Sequence, residues 1–145
     1  MKAVLDACVL YPTILREILQ GAGEAGLYQP VFSDRILREW VLATAKLGPE
    51  APAIAQGETV ALRAAFPRAL VREYPEIEAR LHLPDPNDRH VLATAIASGA
   101  DAIVSQGKGR KAKNANFYAS LEAKYGVPAG VLIAIHGMET GFGGF

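Results

Sequence analysis

Apolar positions along this chain fall alternately into short compact runs and into stripes with helical spacing. Ala3-Val4-Leu5 is a run of the kind that forms a buried strand, and it ends at a charged residue, Asp6. Residues 7–10 continue apolar. Pro12 and Thr13 then open a helix with Ile14, Leu15, Ile18 and Leu19 on one face, and Gly21 is its expected stop. Residues 28–32 read as a brief extended piece. Ser33 is a good N-cap for a helix over residues 34 to about 46 that buries Ile36, Leu37, Trp40 and Val41. Gly48-Pro49 breaks that helix, another follows over about 53–66, Ala69-Leu70-Val71 suits a second strand, and residues 75–81 suit a helical turn. Further on, Ala102-Ile103-Val104-Ser105 reads as a third buried strand. A helix over about 116–125, a last strand at 131–135 and a Gly-rich loose tail at 137–145 complete the pattern.

Between these elements lies Leu83-Pro84-Asp85-Pro86-Asn87-Asp88-Arg89-His90. Its two prolines exclude helix before Pro86, so the helix begins at Asn87 or Asp88, buries Val91, Leu92, Ala95 and Ile96, and ends at Gly99. Asp88 precedes Val91 and Leu92 by three and four residues, so ideal helical geometry projects it from the top of that apolar face. A carboxylate aimed at a core is expensive unless something meets it, and an exposed helix N-terminus returns only about 0.3–1 kcal/mol. Two roles stand open for Asp88: a helix cap shared with Asp85 or Asn87, or part of a site.

Strands alternating with helices predict an α/β fold, a mainly parallel sheet with helices on both faces, whose chemistry gathers beyond the carboxyl ends of the strands. Asp6 stands at such an end. It either caps a turn or joins Asp88 in a hard-metal site, because oxygen ligands suit Mg²⁺ and Mn²⁺. Glu39 shares a helical flank with Arg35 and Arg38, and Arg35, one turn earlier, is its natural ion-pair partner. By pattern alone Glu39 is a solvated residue.

Composition narrows the classes. At 145 residues with half of them apolar, the whole of 1–145 is expected to form a single domain with a full core. The lone Cys8 excludes a disulfide framework and a multi-cysteine zinc site, and His82, His90 and His136 lack ligand spacing. No apolar run approaches the roughly 20 residues of a membrane span, so no membrane contact and a cytoplasmic location are expected. There is no P-loop and no internal repeat. Charges balance at fifteen against fifteen, yet Lys108, Arg110, Lys111 and Lys113 crowd into six positions. That basic loop is either a solvated surface segment or a nucleic-acid contact that offsets the repulsion between acidic residues and phosphate. In the second case Asn114, Asn116, Phe117 and Tyr118 would hydrogen-bond or stack on an unpaired base.

Three blocks taken together carry a family likeness: Val-Leu-Asp6-Ala-Cys-Val-Leu-Tyr, Phe-Ser-Asp-Arg-Ile-Leu-Arg-Glu39-Trp and Leu-Pro-Asp-Pro-Asn-Asp88-Arg-His-Val-Leu-Ala-Thr-Ala-Ile. In this order, spread over roughly residues 3–105, they resemble a PIN domain, most of all the bacterial PIN proteins related to VapC-like toxins of toxin–antitoxin systems. The resemblance implies a three-layer α/β/α fold and an Mg²⁺- or Mn²⁺-dependent ribonuclease. It assigns metal-site and catalytic roles to Asp6, Glu39 and Asp88. Implied partners are an RNA substrate, a cognate antitoxin protein and, as is common in the family, a second copy of the chain. Asp85 is either a helper behind the ligands or a turn residue; Arg89 is expected to make an internal ion pair, and His90 to be structural.

Two departures from the family pattern matter. Members usually carry Asn, Ser or Thr two positions after the first Asp, where this chain has Cys8. After the third strand the family's Ser is kept as Ser105, but the next acidic position is Gly107, leaving Asn114 or Asn116 as candidate replacements. These departures keep a second expectation open, a catalytically reduced PIN-fold protein that binds RNA or another partner.

Overall fold

A computed structural model of the chain describes residues 1–105. The basic loop with Gly107, Lys108, Arg110, Lys111 and Lys113, the residues Asn114 and Asn116, and the elements expected over 116–145 lie outside the described residues.

Four strands form one parallel sheet in the order β3-β2-β1-β4: β1 (Lys2–Leu5), β2 (Gln29–Ser33), β3 (Leu70–Val71) and β4 (Ala102–Val104). The helices are α1 (Ala7–Leu10), α2 (Thr13–Glu24), α3 (Asp34–Ala43), α4 (Ala51–Ala65), α5 (Pro75–Glu78) and α6 (Arg89–Ser98), with 3-10 turns at Thr44–Leu47 and Pro86–Asp88. This is the α/β architecture of a PIN-like fold. The chain moves from β1 through β2 to β3 in one direction across the sheet, then returns past β1 to β4. With right-handed crossovers, that reversal places α1 to α4 on one face and the α5–α6 pair on the other. The reversal also creates a switch point between β1 and β4, where a doubly wound sheet opens its crevice.

Local rules explain most element ends. The Ser33 hydroxyl accepts from the Ile36 amide, as its capping position predicts, and Ile36, Leu37 and Trp40 are buried behind it. Gly99 adopts φ +62°, the left-handed conformation that ends α6 and turns the chain into β4.

In α2 the expectation is corrected twice. The helix runs past Gly21 to Glu24, and Ile14 and Ile18 are exposed at 76% and 63% while Arg16 is buried. The cause lies in α1, a single turn whose last carbonyls need donors. Arg16 Nη1 donates to Leu10 O at 2.6 Å, its Nη2 meets Glu58 Oε1 at 2.8 Å, and its guanidinium stacks 4.8 Å from the Trp40 ring centroid. Satisfying those carbonyls turns α2 about its axis, and two isoleucines face outward as a result.

Tyr28, buried just before β2, donates its hydroxyl to Leu19 O at 2.8 Å and ties the sheet to α2. Burial pushes its phenol from the ordinary 10.0 up to about 12. Above pH 10 the unfolded chain releases a proton that the folded protein still holds. This contribution to stability is therefore whole below about pH 10 and lost as pH rises toward 12. Thermal melts across that window are expected to fall less steeply for Tyr28→Phe than for the wild type. At neutral pH the variant loses about 1 kcal/mol with its hydrogen bond.

Candidate active site at the sheet switch point

Asp6 directly follows β1, and its amide extends the ladder by donating to Val104 O at 3.0 Å. Its carboxylate does two things at once. Oδ1 accepts from the Ala7 amide at 2.7 Å, capping α1, while Oδ2 accepts from Ser105 Oγ at 2.7 Å. Ser105 directly follows β4, so this hydrogen bond spans the switch point. The capping and site roles of Asp6 coexist because they use different oxygens. Cys8 Sγ lies 3.3 Å from both Asp6 Oδ2 and Ser105 Oγ, and the three side chains form one half-buried cluster.

Glu39 sits on α3 with a side chain 39% exposed. Its Oε1 lies 3.4 Å from Arg35 Nε, the ion pair expected from their spacing, and Arg35 Nη1 holds Glu78 Oε1 at 2.9 Å. The same Oε1 lies 2.9 Å from Nε2 of His90, which belongs to the first turn of α6. That distance suits a hydrogen bond but the direction does not, and neither ring nitrogen has a hydrogen-bond partner among the described residues. His90 is buried, in keeping with a structural position, and its approach to Glu39 is not legible in the sequence because the two are 51 positions apart.

Asp88 corrects the helical projection. It closes the Pro86–Asp88 3-10 turn, α6 begins only at Arg89, and Asp88 is exposed. The three-and-four-residue extrapolation assumed an α-helix already running at Asp88, whereas the tighter 3-10 turn offsets that position from the buried face. Asp85 caps this turn, its Oδ1 accepting from the Asn87 amide at 2.9 Å. No ion pair to Arg89 forms among the described residues, and its Nε is buried without a hydrogen bond there.

Asp6 and Ser105 are thus brought together, and so are Glu39 and His90. Asp6, Glu39 and Asp88 are not gathered into one cage: among the described residues no three His, Cys, Asp or Glu side chains meet as a metal cluster. The donor chemistry at Asp6 nevertheless fits a hard divalent cation. A carboxylate beside a hydroxyl supplies oxygen, and Mg²⁺ is usually held through one or two carboxylates with water completing its shell.

A search of curated proteins and a search of solved structures each return no match. Two family profiles match. The PIN domain profile matches residues 2–108, most of the chain. The transglycosylase SLT domain profile matches residues 94–145, well under half of it, and shares residues 94–108 with the first. This second match takes in the basic loop, the helix expected over about 116–125, the strand expected at 131–135 and the Gly-rich tail at 137–145. Among the described residues no helix is long and apolar enough to cross a membrane.

Proposed function

Because the chain belongs to the PIN domain family, we propose that it is a divalent-metal-dependent endoribonuclease and the toxin of a toxin–antitoxin pair. PIN domains are typically nucleases and generally use divalent metal ions. The observation that carries the proposal is the Asp6 carboxylate at the β1–β4 switch point, oriented by the Ser105 hydroxyl at 2.7 Å.

In this proposal Asp6 is the principal ligand, with Glu39 and Asp88 holding metal or its waters from α3 and the start of α6. A bound Mg²⁺ or Mn²⁺ would supply polarisation of the scissile phosphate and a more acidic water. The chain's own residues do the rest. Ser105 fixes the rotation of the Asp6 carboxylate, and the cap on α1 keeps it at the strand end. Arg35 and His90 bound the position of Glu39. The basic loop beginning at Lys108 would meet RNA phosphates, and a cognate antitoxin would mask the pocket by pairing Arg with its carboxylates.

Incubation with structured and unstructured RNAs in Mg²⁺, Mn²⁺ or EDTA tests the activity. Cleavage in metal and none in EDTA is the expected result. Retention of RNA without cleavage in either metal favours the second reading, a catalytically reduced RNA-binding PIN protein. One observation already points that way: a soft thiol, Cys8, lies 3.3 Å from the oxygen that a hard cation would take.

A further inference from the structure

We infer that His90 is a positioning residue for the Glu39 carboxylate, an inference that rests on the nuclease reading in which Glu39 works in the site. His90 is 4% exposed, yet neither Nδ1 nor Nε2 is hydrogen-bonded among the described residues. A buried polar group left unmatched costs about 1–3 kcal/mol. A phenylalanine would fill the same space without that cost, so an unmatched imidazole in a core calls for another role. The polar atom set against it is Glu39 Oε1, 2.9 Å from Nε2. The terminal torsion of a Glu side chain is soft, so turning the carboxylate toward an Nε2–H donor costs little.

Arg35 cannot do this work alone. It approaches Glu39 from one turn back on the same helix, at 3.4 Å, and shares its guanidinium with Glu78. His90 comes from a different element, two residues after Asp88. It therefore bounds the Glu39 carboxylate from the first turn of α6, while Arg35 bounds it from α3. Glu39 Oε1 is engaged from the protein side, and no described residue donates a hydrogen bond to Oε2. A positioning residue of this type behind a ligand typically changes metal affinity or activity by about 10–100-fold.

The test uses the full-length protein. In long-range ¹H–¹⁵N spectra of the metal-free protein, the His90 ring is expected to carry its proton on Nε2, and that nitrogen's resonance to move in Glu39→Gln. Calorimetric Mn²⁺ titration of His90→Phe is expected to show affinity weakened about 10–100-fold. His90→Gln, which restores an amide donor, should recover much of it, with circular dichroism showing both variants folded. An Nε2 resonance indifferent to Glu39→Gln, or unchanged Mn²⁺ affinity in a folded His90→Phe, overturns the inference. Should the Phe variant not fold, the spectrum of Glu39→Gln decides alone. If Glu39→Gln leaves both Mn²⁺ binding and RNA cleavage intact, the role of Glu39 fails. If it abolishes both while the imidazole stays silent, only the positioning role fails.

Discussion

Asp6→Asn is expected to lower metal-dependent RNA cleavage by at least the about 10–100-fold typical of residues that only support a ligand, while leaving the melting temperature nearly unchanged. The separation of the two effects follows from the double duty of this carboxylate. As a structural group Asp6 caps α1 through Oδ1 on the Ala7 amide, and an asparagine carbonyl accepts that hydrogen bond equally well. As a site group it supplies negative charge at the β1–β4 switch point, where Oδ2 faces Ser105. Asparagine removes that charge with almost no change of shape, and the Ser105 hydroxyl can reverse its role to accept from the new amide. Initial cleavage rates at saturating Mn²⁺, measured beside a thermal melt of the same preparation, check both halves. Full activity in a folded Asp6→Asn protein would sink the proposed site. A large fall in melting temperature would show that the cap, not the charge, dominates at this position.

Trp40→Ala is expected to cost about 3–5 kcal/mol of stability. Trp40 is completely buried on α3, which packs against both α1 and α4. Its ring also lies under the Arg16 guanidinium, which in turn holds the last carbonyl of α1 and reaches Glu58 on α4. Removing the indole opens a cavity and strips a buried cation of its aromatic face at the same stroke. Against a typical total of about 5–15 kcal/mol, such a loss brings the protein close to unfolding at 37 °C. Urea denaturation reads it as a lower midpoint at constant slope. Arg16→Met combined with Trp40→Ala should be less harmful than the sum of the two, because the residues share one contact. Strict additivity would show that the stack contributes nothing.

Legibility differed by the range of the physics involved. The β1 strand, the Ser33 cap, the break at Gly48-Pro49 and the Gly99 stop each depend on a few consecutive residues, and they stand where the pattern puts them. Asp88 misled because 3-10 and α spacings diverge within one turn, and nothing in Pro-Asp-Pro-Asn-Asp selects between them. The α2 face misled for a different reason. Period alone favours Ile14 and Ile18 inside, but the unpaired carbonyls that draw Arg16 inward belong to α1 and are invisible to any helical count within α2.

By itself the sequence determined the α/β class, the strand ends and the three blocks of residues that mark the family, because these rest on local backbone preference and contiguous side-chain order. Only the tertiary structure decided that Ser105 meets Asp6 across 99 positions, that Glu39 leans on a buried His90, and that Asp88 stands exposed rather than toward the core. Those outcomes depend on which strand lies beside which, and on which distant polar group is left wanting a partner. Sheet order and the satisfaction of buried polar groups are properties of the whole fold, and no local window of sequence contains them.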